Sequence, residues 1–129
     1  MATSRSSSEL ERGLELIRAG EFFAAHEVLE DVWRAAEPAE RDFFQGLVHV
    51  AVAWYQAGRG NPVGCERQLE KAARRLGPYA PAHRGLDVAG LLASVEAARG
   101  RFPKLPPPAL GPAGTPLPTR RQSPEERAG

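Results

Sequence analysis

The sequence predicts an all-α protein: a single compact bundle of about five helices over residues 8–98, preceded by a flexible N-terminus, 1–7, and followed by a disordered Pro/Arg-rich tail, 99–129. Three observations carry this expectation. Between Ser8 and Ala98 apolar residues recur at three- and four-residue spacing, and no alternating apolar and polar run is long enough for a strand. Gly and Pro punctuate that stretch at Gly20, before Pro38, at Gly58-Arg59-Gly60-Asn61-Pro62 and at Gly77-Pro78. Beyond Arg99 lie eight of the 12 prolines among Gly, Thr and Arg, a composition too poor in apolar surface to offset its ordering entropy.

The elements follow in order. Ser8 reads as the N-cap of a first helix to Arg18, with Leu10, Leu14 and Ile17 on one face. Gly20 suits the left-handed position that ends it. The second helix, Phe22 to about Ala35, gathers Phe22, Ala25, Val28, Leu29, Val32 and Trp33 into one arc, with His26 at its edge and Phe23 well round from it. The third, about Ala39 to Ala57, is apolar on almost every side and is therefore the central helix. Its polar exceptions, Asp42, Gln45, His49 and Gln56, fall in one narrow stripe, which fits either a solvent-facing edge or a site. Asn61 as cap and Pro62 at the first helical position start a fourth helix, which buries Cys65, Leu69, Ala72, Ala73 and Leu76 and shows solvent a charged side from Glu66 to Arg75. The last runs from about Asp87 to Ala98. Gly46 reads as the point where the second helix crosses the third, and Gly64 as a close helix–helix contact.

Composition excludes several function classes. Lys and Arg number 17 against 16 Asp and Glu, so the chain lacks the basic excess that nucleic acid or an anionic membrane calls for. The charge is uneven: the expected tail carries +4 and the remainder −3. A solvated terminus explains six dispersed cations without a partner, while Phe102, flanked by Pro103, is placed to pin the tail's root. The single cysteine, Cys65, rules out a disulfide framework. Nothing resembles a signal peptide or a membrane span, so the expected compartment is the cytoplasm.

Few residues remain for chemistry. His26 and Glu30 stand four apart on the second helix, a spacing at which two side chains can meet or grip one ion. With His49 as third ligand and Glu27 as base, they would form a divalent-metal site for a hydrolase. The alternative is a structural network in which His26 and Glu30 bond each other or Gln45. Di-iron chemistry fits poorly, because positions 23 and 46 are Phe and Gly. No phosphate-cradling loop or nucleophile elbow occurs.

The run Gly20-Glu21-Phe22-Phe23-Ala24-Ala25-His26-Glu27-Val28-Leu29-Glu30-Asp31-Val32-Trp33-Arg34, followed by Phe44-Gln45-Gly46-Leu47-Val48 and Gly60-Asn61-Pro62-Val63-Gly64, resembles the prokaryotic domain-of-unknown-function family numbered 309. The resemblance implies a small all-helical intracellular domain. Its hallmark positions match at Phe23, His26, Glu27, Leu29, Glu30, Trp33, Gln45, Gly46, Leu47, Asn61 and Gly64. One departure is Tyr55-Gln56, where many relatives resemble a Tyr-His pair.

Two functional readings stand. The first is a non-catalytic domain binding a protein or small molecule in a groove between the second and third helices, floored by Trp33 and lined by His26, Glu30, Gln45 and His49. The second is the metal-dependent hydrolase. A homodimer is also expected, because the third helix has more apolar faces than four short neighbours cover.

Overall fold

Each helix leaves an apolar stripe to bury, and in the computed structural model of the protein these stripes meet in one continuous core. The structure describes residues 2–114, with side chains from Ser7 onward. Helix α1 spans Ala2–Arg18, α2 Phe22–Ala35, α3 Pro38–Gly58, α4 Pro62–Leu76 and α5 Val88–Ala98; a short 3-10 turn, Gly77–Tyr79, follows α4. Packing runs in sequence order, α1 on α2, α2 on α3, α3 on α4 and α4 on α5, so α3 sits between two long neighbours. Phe43, Phe44, Leu47, Val50, Ala51 and Ala53 on α3 are all buried. No helix among the described residues is long and apolar enough to cross a membrane.

Start signals read from the sequence hold where a side chain makes the cap. The Asn61 carboxamide oxygen accepts the Gly64 amide at 2.9 Å, and the Asp87 carboxylate accepts that of Gly90 at 2.9 Å. Gly20 takes φ +80, as a left-handed helix end requires. Ser8 is not a cap: α1 begins at Ala2, and residues 2–7, expected to be a flexible N-terminus, continue it. No Gly or Pro interrupts that stretch, and a helix once nucleated extends readily.

Two glycine contacts differ from expectation. Gly46 faces α4 rather than α2, since a Cβ built there would lie 2.6 Å from Leu76 Cγ. Gly64 makes room for its own cap, Asn61, and not for a neighbouring helix. Close approach of α1 to α2 occurs instead at Gly13, where an added Cβ would come within 2.6 Å of Leu29 Cδ2.

The largest correction concerns the expected tail. Residues 99–114 form a strap folded back over the bundle, with Leu110 buried and Phe102 and Leu105 packed against the core. Its backbone is fastened by Trp54 Nε1–H to Pro106 O, Arg18 Nη2–H to Leu110 O, the Ala109 amide to Ser94 Oγ, and the Asp87 and Ala113 amides to Gly111 O and Gly85 O. Average composition hid three well-placed apolar side chains. The remainder of the expected tail, 115–129, lies outside the described residues. The strap also weakens the argument for a second copy, because α3 is covered from within the chain. Among the described residues the large exposed apolar side chains are Phe23 and Val63, neither of them on α3.

Candidate functional site

The polar stripe on α3 proves to be a seam with α4. Arg75 Nη1–H donates to Asp42 Oδ1 at 2.7 Å, His49 Nδ1 meets Gln68 Oε1 at 2.7 Å, and Asn61 Nδ2–H donates to Gln56 Oε1 at 3.1 Å. Positions 42, 49 and 56 descend against 75, 68 and 61, seven residues per step on each helix. Such a spacing is the heptad register of two antiparallel helices packed along a common seam. Arg75, expected on the solvated charged face of α4, is therefore part of this seam, as is Gln68.

His49 is thereby withdrawn from the expected metal site. Burial pushes its imidazolium below the ordinary histidine range, and the Lys71, Arg75 and Arg74 charges push the same way against the Gln68 hydrogen bond. A depressed histidine pKa means that the unfolded chain takes up the proton first. Stability contributed by neutral His49 is thus present above about pH 6.5 and is lost as pH falls from there to its lowered folded value. Acidification from about pH 7 to about pH 5 should lower the melting temperature of the wild type, and His49→Gln should remove that part of the slope. An unchanged slope in His49→Gln would place the titration elsewhere. A lower acid window belongs to Glu40: burial raises its pKa, but hydrogen bonds from Arg84 and His83 outweigh that and hold it below its usual value.

On α2, His26 Nε2 lies 3.5 Å from Glu30 Oε1, which is also approached by Arg34 at 3.3 Å. Both side chains are partly buried, 24% and 32% exposed, as a groove position requires. Glu27 is exposed, and Arg34 pairs with Asp31 at 2.8 Å as well as with Glu30. Trp33 stands two turns further along α2 under the Arg41 guanidinium, 5.8 Å from the ring centroid. Gln45 is half-buried and joins none of the side-chain hydrogen bonds found among the described residues. Hence His26 and Glu30 meet, while His49 is held against Gln68 of α4. Among the described residues no three His, Cys, Asp or Glu side chains are grouped to hold a metal ion. The geometric basis for a His26–Glu30–His49 centre is absent, because a helical stripe fixes which residues share a face and not which neighbour that face meets.

What adjoins His26 instead is an aromatic slot of about 120 Å³ lined by Phe23, His26, Val52, Tyr55 and Gln56. Phe23 is 51% exposed. Its ring tilts against His26 at 5.3 Å and Tyr55 at 5.4 Å, and the Arg59 guanidinium lies 5.6 Å from the Tyr55 ring. His26 Nδ1 is shielded from solvent and has no hydrogen-bond partner. A shallow trough of about 450 Å³ continues from the slot, bounded by Glu21, Phe22, Phe23, Trp54, Tyr55 and Arg59. Val52 is one apolar residue among many on an all-round apolar helix, and Tyr55 stood out in the sequence only through the Tyr55-Gln56 departure. Phe23, off the apolar arc of its own helix, was the available signal.

An antiparallel helical bundle with a partly buried His–Glu pair beside an aromatic slot defines the class: a small all-α domain. Residues 10–68 match the family model described as a domain of unknown function, DUF309, confirming the resemblance carried by the α2 to α4 motifs. An uncharacterised protein of Aquifex aeolicus is 26% identical over 101 residues, covering 78% of this chain and 30% of the relative. YpuF of Bacillus subtilis, also uncharacterised, is 32% identical over 72 residues, covering 55% of this chain and 40% of that protein. The chain thus spans well under half the length of these curated relatives. No solved structure matches it.

Proposed function

We propose that this chain is a non-catalytic recognition module whose site is the slot and trough between α2 and α3, and that it takes one apolar side chain of a protein partner. The observation that carries this reading is Phe23: a large aromatic held half-exposed over His26 and Tyr55 at the mouth of a cleft. Apolar surface left open in this way is a common mark of interaction sites. The slot, about 120 Å³, is close to the benzene-sized cavity that accepts one apolar group. The adjoining trough, flanked by Glu21 and Arg59, offers a path for the partner's backbone. Matching to one segment of longer relatives fits a module that works beside other domains.

The test uses N-acetyl-leucine methylamide as a minimal side chain with two amides, titrated into ¹⁵N-labelled protein. Shifts should concentrate on Phe23, His26, Val52, Tyr55 and Gln56 and should vanish in Phe23→Ser, a surface change expected to leave stability within about 0.5 kcal/mol. Shifts scattered over the surface, or equal in the variant, would refute the assignment.

A further inference from the structure

A second recognition surface lies under the strap. Leu105, Pro106 and Pro107 each precede a proline, which steers their backbones to extended, polyproline-like conformations. In such a helix of three residues per turn, Leu105 and Pro108 share one edge and Lys104 and Pro107 another. Burial follows that pattern: Leu105 and Pro108 are half-buried, Lys104 and Pro107 exposed. Polar groups beneath meet this backbone at Pro106, Ala109 and Leu110. Prolines have no N–H, so a surface that fits them must offer donors to their carbonyls. Trp54 Nε1–H meets Pro106 O at 3.1 Å, and Arg18 Nη2–H meets Leu110 O at 2.8 Å. The first amide after the prolines, that of Ala109, finds an acceptor in Ser94 Oγ at 2.9 Å, whose own hydroxyl donates to Leu91 O at 2.8 Å. An indole donor facing a proline carbonyl is one means by which grooves select preformed Pro-rich segments.

We infer that the groove between Trp54 of α3 and Ser94 of α5 is a binding surface for extended Pro-rich segments, occupied in cis by residues 105–110 and open to such a segment of a partner protein when the strap lifts. Fastening is suited to exchange. Over residues 105–110 only Leu110 is buried among the apolar side chains, and the remaining attachments of that stretch are separate hydrogen bonds and half-buried side chains; the strap's one two-bond backbone bridge, Leu86 with Pro112, lies beyond it. Gly100, at φ +77 with no atom within 4 Å of a built Cβ, joins the strap to α5. A tethered ligand competes at an effective concentration near the millimolar range, which keeps the groove closed to weak partners and open to stronger ones.

The experiment uses the full chain carrying Leu110→Asp, a change in the strap that leaves the groove intact, and a synthetic peptide with the sequence of residues 101–114. Released of its strap, the variant should show a shifted Trp54 Nε1–H resonance. Peptide should return it to the wild-type position with saturation, and should bind the wild type at least about tenfold more weakly because the strap competes. A peptide with Gly at the positions of Pro106 and Pro108 should not bind. If Leu110→Asp does not fold, as judged by its circular dichroism, Leu105→Ser takes its place. A folded, strap-released chain that takes up no peptide at millimolar concentration, or takes up the Gly-substituted peptide equally well, would overturn the inference.

Discussion

Trp54→Ala should cost about 3–5 kcal/mol of unfolding free energy, the range for removing a large buried aromatic, and a large fraction of what a domain of this size possesses. Trp54 is 6% exposed and is the point at which α3 meets the strap. Its loss opens a void and leaves the Pro106 carbonyl without its donor. Urea unfolding followed by far-ultraviolet circular dichroism reads the total. Hydrogen exchange reads the location, because the amides of Ala109 and Ala113 should lose protection before those inside α3. Trp54→Phe, which keeps most of the bulk but not the indole donor, should cost roughly 1 kcal/mol. A loss below about 1 kcal/mol for the alanine variant would mean that the strap does not cover this side chain.

Gly46→Val should destabilise by about 1–3 kcal/mol through overpacking. The new Cβ would fall 2.6 Å from Leu76 Cγ and 3.3 Å from Arg75 Cβ, so α3 and α4 must part or Leu76, itself fully buried, must change rotamer. Leu76→Ala in the same chain should recover part of the loss, giving a coupling of about 1 kcal/mol or more in a double-mutant cycle. Gly58, at the end of the same helix, has nothing within 4 Å of a built Cβ, so Gly58→Ala should be neutral or stabilising by up to about 1 kcal/mol. Additive behaviour of the Gly46 and Leu76 changes would contradict the contact.

These two sites also show how far the sequence could be read. Helix α2 was legible at both ends because Gly20 precedes it and Pro38 follows it, and α4 because Asn61-Pro62 marks its start. Periodicity placed Asp42, His49 and Gln56 on one stripe correctly. It assigned no partner to that stripe, since a helical wheel contains angle and not neighbourhood. The partner became visible only when Arg75, Gln68 and Asn61 stood opposite at the same heptad interval. Gly46 was recognised as a close approach, but toward the wrong helix for the same reason. Residues 99–114 were misread on composition, which averages over a segment and misses three apolar side chains placed where the bundle has room for them. Of the candidate site, His26 with Glu30 was legible from spacing alone, whereas Tyr55 and Val52 enter it from α3 and needed the fold.

The central claim, that the α2–α3 slot is a recognition site for a protein segment, is tested most directly by selecting short linear peptides from a random display library on the wild-type chain and mapping where they bind. The account predicts that enriched peptides share an apolar residue, shift Phe23, His26 and Tyr55 in the ¹⁵N spectrum, and lose at least about tenfold in affinity, roughly 1.4 kcal/mol, against Phe23→Ser. Enriched peptides that bind Phe23→Ser as tightly as the wild type, or whose shifts fall on other faces of the bundle, would contradict it.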